Sequence, residues 1–322
     1  MENRKVVLEI KNLHVHFITD SETVKAVNGV DMVLHEGECL GLVGETGAGK
    51  TTTALSIMQL VPDPPGVIVD GEICFRGKNI IYNTDSENRN MRGNGISMIF
   101  QDPMTALNPI MTVGSQLSEV IIQHRKVSRK QAKEMAVQLM ELVGVKADRY
   151  DDYPHQFSGG MKQRVVIAMA LLCRPEILIA DEPTTALDVT IQAQVIEIIR
   201  DLIEQFHMSM ILISHDLGVV AETCDQVAIM YAGEIVEAGH IREVYQHALH
   251  PYTVGLFSSI PRLDDDSEKL IPIEGQIPNS AALPEGCKFH PRCKHCQEVC
   301  RLQPPPVQRE GEHIYRCHFK LF

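Results

Sequence analysis

Residues 44 to 51 read Gly44-Glu45-Thr46-Gly47-Ala48-Gly49-Lys50-Thr51, which has the form G-x-x-x-x-G-K-[ST]. Glycines at this spacing let successive backbone N–H groups converge on phosphate oxygens, and a helix starting at the end of the run adds a favourable dipole. Lys50 would reach the β- and γ-phosphates, the Thr51 hydroxyl would coordinate Mg²⁺, and Thr52 joins the set at the helix start. A second constellation lies at 177 to 182, where Ile177-Leu178-Ile179-Ala180 runs into Asp181-Glu182. An Asp at such a strand end can hold Mg²⁺ through water, and the adjacent Glu, pointing elsewhere, can polarise an attacking water. The third is a crowd of thiols: of nine cysteines, Cys287, Cys293, Cys296, Cys300 and Cys317 fall within the last 36 residues. With no export signal at the N-terminus, this spacing predicts a metal site before it predicts disulfides. Cys293-x-x-Cys296 is zinc spacing, with His290, His295 and His318 nearby in sequence. Cys39, Cys74, Cys173 and Cys224 stand in apolar stretches and read as core.

These groups need elements to hold them. Val6 to Phe17 and Val24 to Leu34 read as strands, with a turn at His35-Glu36-Gly37-Glu38. Cys39 to Val43 has the all-apolar character of a buried strand and feeds the glycine run, after which a helix is expected from Lys50 to about Leu60, stopped by Pro62, Pro64 and Pro65. Val67 to Phe75 and Ser97 to Phe100 are further strands, and the polar stretch Asn83 to Gly95 between them is expected to be a surface loop. Ser128 is placed to cap a helix carrying Ala132, Met135, Leu139 and Leu142 at helical spacing, closed by Gly144. A helix over Met161 to Leu172 and another over Val189 to Phe206 accompany short parallel-type strands at Ile177 to Ala180 and Met210 to Ser214. A hairpin is expected to turn at Ala232-Gly233, and Pro251, Pro261, Pro272, Pro278 and Pro284 mark the passage to a loop-rich tail.

At 322 residues the chain is long enough for about two folding units. Its 44% hydrophobic and 22% charged residues are ordinary for a globular protein and exclude wholesale disorder. The longest apolar run, Val165 to Cys173, is far short of the ~20 residues of a spanning helix. A formal charge of −12 argues against nucleic acid as a partner.

Further strings extend the pattern. Gln101 lies in Phe100-Gln101-Asp102-Pro103, Ser158-Gly159-Gly160 in Phe157-Ser-Gly-Gly-Met161-Lys-Gln-Arg164, and Ala186-Leu187-Asp188 follows the carboxylate pair, with His215 after the last apolar strand. In this order they resemble the Q-loop, signature sequence, D-loop and switch histidine of the ATP-binding-cassette (ABC) ATPases, over about residues 5 to 255. The resemblance implies an α/β P-loop NTPase fold with a mixed-sheet core, an antiparallel β-subdomain and a helical subdomain at about 102–172. It implies ATP and Mg²⁺ as ligands and a head-to-tail dimer. Each ATP would lie between one phosphate loop and the Ser158-Gly159-Gly160 helix start of the partner, with Phe17 stacked on adenine. Gln101 would sense Mg²⁺ and the attacking water, and His215 would contact the γ-phosphate.

The strings Gln101 to Pro109, Tyr153-Pro-His-Gln-Phe157 and His250-Pro-Tyr-Thr253, with the cysteine-rich tail, are similar to the dipeptide/oligopeptide importer branch of that family. The branch implies a division into a cassette, 1–258, and an extension, 259–322. It also implies two transmembrane permease subunits, a second related ATPase or a second copy of this chain, an extracytoplasmic peptide-binding protein, and a place at the cytoplasmic face of the membrane. The permeases would dock around Gln101 to Gln123, where Met104, Leu107, Ile110 and Met111 are apolar. Cys287, Cys293, Cys300 and Cys317 match four cysteines that hold a 4Fe–4S cluster in the branch; zinc and unligated thiols stay open, because Cys296 is an extra. Nickel importers are close relatives. A non-transport ATPase of the same superfamily fits less well, since a single cassette with 108 residues between Lys50 and Ser158 leaves no room for a long coiled coil. A P-loop kinase or GTPase would have no use for the signature or the histidine.

Overall fold

The computed structural model describes residues 4–102, 106–185, 187–259 and 272–320; Met104, Ala186 and Pro261 lie outside them. The chain divides into two compact units, one made of 1–81 with 213–322 and the other of 82–212.

The first unit opens with β1 (Val6–Ile18) and β2 (Thr23–His35), paired antiparallel. Alternate apolar residues of β1 (Leu8, Ile10, Leu13 and Val15) are buried, as a half-covered sheet requires. β3 (Cys39–Val43) is buried along its whole length and leads through the glycine run to α1 (Lys50–Ile57). That helix stops earlier than its sequence suggests, with Gln59 already in left-handed conformation. β4 (Gly66–Phe75) pairs with β1, and β5 (Lys78–Asn79) closes a four-stranded sheet ordered β2-β1-β4-β5.

The second unit begins with a departure from the sequence expectation. Asn83 to Gly95 is not a loop; it contains α2 (Asp85–Asn94). The Thr84 hydroxyl accepts the Glu87 N–H while the Glu87 carboxylate accepts the Thr84 N–H, a reciprocal cap that starts a helix whose composition is almost wholly polar. Only Asn88 and Met91 of this helix are buried, so there was little apolar periodicity to read. β6 (Ile96–Ile99) follows, then α3 (Val113–His124), capped by Thr112, and α4 (Arg129–Leu142), capped by Ser128. α5 (Gly159–Leu171), β7 (Ile177–Asp181), α6 (Val189–Phe206) and β8 (Ser209–Ile213) complete the unit, with β6 and β7 parallel. Each strand here is fully buried, which explains why its residues are mostly apolar and not alternating.

The first unit resumes with α7 (Leu217–Thr223) and β9 (Gln226–Tyr231), which runs parallel to β3. β9 turns at Ala232 and Gly233, both at positive φ, into the antiparallel β10 (Glu234–His240). That pair of conformations suits the right-handed twist of a hairpin. After α8 (Ile241–Gln246) and α9 (Pro251–Ser258), the tail contributes α10 (Glu298–Leu302) and the hairpin β11 (Val307–Glu310) and β12 (His313–Arg316). The tail is therefore more ordered than its proline content suggests: β12 pairs with β10, Glu237 opposite Tyr315.

One buried carboxylate secures that edge. Glu237 is fully buried and accepts the backbone N–H groups of Leu249 and His250 and, at 2.7 Å, Nε2 of His313. Burial pushes His250 down to about 4, and its Nδ1 accepts the Tyr252 N–H at the start of α9. Replacing Glu237 by Ala orphans two buried donors and His313. The expected loss is about 3 kcal/mol, read as a melting temperature lower by roughly 6–12 °C in a thermal scan of the full chain.

Candidate active site

The phosphate loop lies within the first unit. Gly47 and Gly49 have φ of 83° and 106°, conformations that disfavour a side chain. A Cβ on Gly44 would sit 2.2 Å from the Met230 carbonyl oxygen, and one on Gly49 would sit 2.4 Å from that of Ala26. Gly47 instead faces open space. The loop is thus pressed against backbone at Gly44 and Gly49 and open at Gly47, which fits a polyanion cradled by N–H groups. The Gly233 N–H donates to the Ala48 carbonyl and ties the loop to the β9–β10 turn. Lys50 is buried, its ammonium donating to the carbonyls of Gly44 (2.7 Å) and Glu45 (3.1 Å).

Two residues that sequence reasoning missed hold Glu45. Its N–H donates to the Tyr252 hydroxyl at 3.0 Å, and its carboxylate takes a two-pronged ion pair from Arg292, at 2.6 and 3.1 Å. Arg292 belongs to the cysteine-rich tail, 247 residues away, so no local spacing could have paired them. Tyr252 sits in the His250-Pro-Tyr-Thr253 string, which pointed to a family and not to a contact.

In the second unit the carboxylate pair ends β7 as expected. Asp181 is buried, and Glu182 takes a left-handed φ of 46°, a conformation that costs a non-glycine residue about 1–3 kcal/mol. The turn swings its carboxylate to two donors: the Gln101 amide at 2.8 Å and the Thr185 hydroxyl at 3.0 Å. Gln101 and Glu182, separated by 81 residues, therefore meet. Ser158 caps α5, its hydroxyl accepting the Met161 N–H, and Gly159 and Gly160 form the first turn. A Cβ on Gly160 would fall 2.7 Å from Ile191, so glycine there lets α5 and α6 approach closely. Asp188 caps α6 through the Ile191 N–H.

Back in the first unit, His215 is exposed just after β8, and Asp216 beside it caps α7. Phe17 is half-buried near the end of β1, opposite Val24 and Gly66. In the tail, Cys287, Cys293, Cys300 and Cys317 line one small cavity with His250 and Phe289, whereas Cys296 is not among its lining residues. Burial pushes the Cys287 thiol up to about 12, and the neighbouring Cys300, Cys293 and Cys317 add to that. Among the described residues, no group of three or more His, Cys, Asp or Glu stands ready to hold a metal ion, so neither the zinc nor the iron–sulfur expectation finds a formed metal site.

Comparison with known proteins follows the same lines. The pattern described as ABC transporter matches residues 27–185, and that described as oligopeptide/dipeptide transporter, C-terminal region, matches residues 236–300. The dipeptide transport ATP-binding protein DppD of Bacillus subtilis is 49% identical over 97% of this chain and 94% of its own length. The oligopeptide transport ATP-binding protein OppD of Salmonella typhimurium is 47% identical over 93% of this chain and 90% of its own. A dimeric, post-hydrolysis structure of the ATP-binding cassette MJ0796 with ADP and Pi matches with a TM-score of 0.65 at 25% identity, over 73% of this chain and 99% of that one. With the glycine loop, the carboxylate turn and 49% identity over nearly the full length in agreement, the chain belongs to the family of ATP-binding subunits of oligopeptide/dipeptide ABC transporters.

Proposed function

We propose that this chain is the ATPase subunit that drives uptake of di- or oligopeptides through a membrane importer. The observation that carries the reading is the likeness, tail included, to ATP-binding proteins named for dipeptide and oligopeptide transport. No helix among the described residues is long and apolar enough to cross a membrane, so the conduit belongs to partners. These are two permease subunits, with an extracytoplasmic peptide-binding protein delivering cargo and the ATPase at the cytoplasmic face. Ile110, 82% exposed, suits the permease docking surface around Gln101 to Gln123, whereas Leu107, 4% exposed, is core. The second ATPase is a related subunit or another copy of this chain. Residues 1–258 form the cassette in this reading, with its helical part at about 102–172, and 259–322 the extension.

The chemistry follows from the side chains. ATP is the substrate, its phosphates wrapped by residues 44 to 52 with Lys50 at the β- and γ-groups and Phe17 against the base. Thr51, Gln101 and Asp181 would hold Mg²⁺, which would supply positive charge against the phosphates. Glu182 orients a water and draws on its proton as the oxygen attacks the γ-phosphorus. The bond to the bridging oxygen breaks, and ADP leaves with the electron pair. The Gln101 and Thr185 donors aim the carboxylate beforehand. His215 contacts the γ-phosphate. Ser158 keeps an O–H to donate, because its oxygen accepts from Met161, and with Gly159 and Gly160 it meets the partner's nucleotide. The four cysteines of the tail cavity suit a 4Fe–4S cluster that cross-links the extension; thiolate sulfur is the ligand such a cluster takes.

Four outcomes are expected. In proteoliposomes with its permeases, ATP turnover rises when peptide-loaded binding protein is added; stimulation by DNA or ribosomes instead would overturn the transport reading. Glu182→Gln binds ATP but turns over about 10²–10⁴-fold more slowly in a phosphate-release assay, while Lys50→Ala weakens ATP binding itself by about 10–100-fold in calorimetry. Protein purified without oxygen carries about four irons per chain, retained in Cys296→Ser and lost in Cys300→Ser; a colourless, zinc-loaded protein would remove the cluster from the reading.

A further inference from the structure

The contact between Arg292 and Glu45 joins the extension to the phosphate loop, and it is built more carefully than a surface ion pair. The Arg292 side chain is 3% exposed. Besides the two bonds to Glu45, its guanidinium donates to the carbonyls of Glu274 (3.1 Å) and Ile273 (3.3 Å) and to the Tyr231 hydroxyl (3.4 Å). The rings of Tyr231 and Phe289 lie 5.8 and 6.0 Å from it. Its backbone is pinned in the short turn His290–Arg292, between Cys287 and Cys293 of the cysteine cavity. A planar fork fixed on all sides can hold a carboxylate in one place, which a lysine cannot do.

The same aromatic group meets the other handle on Glu45. Tyr252, which accepts the Glu45 N–H, packs at a tilt of 56° against Tyr231 with centroids 4.6 Å apart, and both rings contact Phe289. Main chain and side chain of one loop residue are therefore held by a single packed block. Glu45 carries a negative charge within a loop whose task is to receive a polyanion. Unpaired, that charge repels the phosphates; paired with Arg292, it does not.

We propose that Arg292 is a positioning residue for nucleotide binding, which neutralises and fixes Glu45 so that the cysteine-rich extension sets the affinity of the phosphate loop for ATP. The inference rests on the reading of Gly44 to Thr51 as the ATP site. It assigns the tail a part in the cassette's first step, as a counter-charge delivered from the far end of the chain. The effect passes through Glu45 and not through contact with ATP, which makes the two residues a coupled pair.

The test is ATP binding by the full chain, measured by calorimetry with Mg²⁺ in the Glu182→Gln background so that turnover does not interfere. Arg292→Met is expected to weaken ATP binding about 10-fold, and Arg292→Lys to recover only part of the loss. Adding Glu45→Gln to Arg292→Met removes the unpaired charge and regains most of the affinity. In the reconstituted transporter, Arg292→Met raises KM for ATP by the same factor and leaves kcat at saturating ATP within about twofold. Wild-type affinity in Arg292→Met, or a double variant no better than the single one, overturns the proposal. Absence of ATP binding by the parent protein would instead overturn the nucleotide-site reading beneath it.

Discussion

A loop that grips a triphosphate with its own backbone must keep one face empty of side chains and the other rigid. In this protein the two demands are met by different means. Emptiness comes from Gly47, which opens onto free space, and rigidity from Gly44 and Gly49, which lie too close to the Met230 and Ala26 carbonyls for any Cβ. A substitution at either tight glycine would shift backbone on a neighbouring strand. The loop is thus a product of β3, β9 and the hairpin turn at Ala232-Gly233, whose N–H holds Ala48.

The carboxylate turn obeys a comparable rule in the second unit. Glu182 occupies a conformation that a glutamate avoids, and two hydrogen bonds to its carboxylate offset the strain. Gln101 arrives after β6, whose parallel pairing with β7 aligns Ile99 with Ala180. The register of two short apolar strands therefore decides which amide finds which carboxylate, one reason such strands are so uniformly packed.

Much of this was legible in the sequence because the responsible physics is local. Strand, glycine run and helix start are contiguous, and alternating or unbroken apolar runs mark β1 and β7 correctly. α2 stayed hidden because its stability comes from the Thr84–Glu87 cap and one buried methionine, which leave no periodic trace. The β11–β12 hairpin was hidden among prolines, and its anchorage depends on Glu237, nearly eighty residues earlier. The grip of Arg292 on Glu45 lies furthest beyond reach. Arg292 stands among the cysteines of the tail, and only the folded chain brings it to Glu45.

That separation bears on synthesis. The ribosome makes Glu45 early and Arg292 only 247 residues later, which at bacterial-type elongation rates is a delay of about 12–50 s. Through that interval the nascent cassette would carry its glutamate without a guanidinium, and on the proposal above nucleotide would meet a repelling charge. On the proposal that Arg292 neutralises Glu45, nascent copies that lack Arg292 would compete poorly for nucleotide.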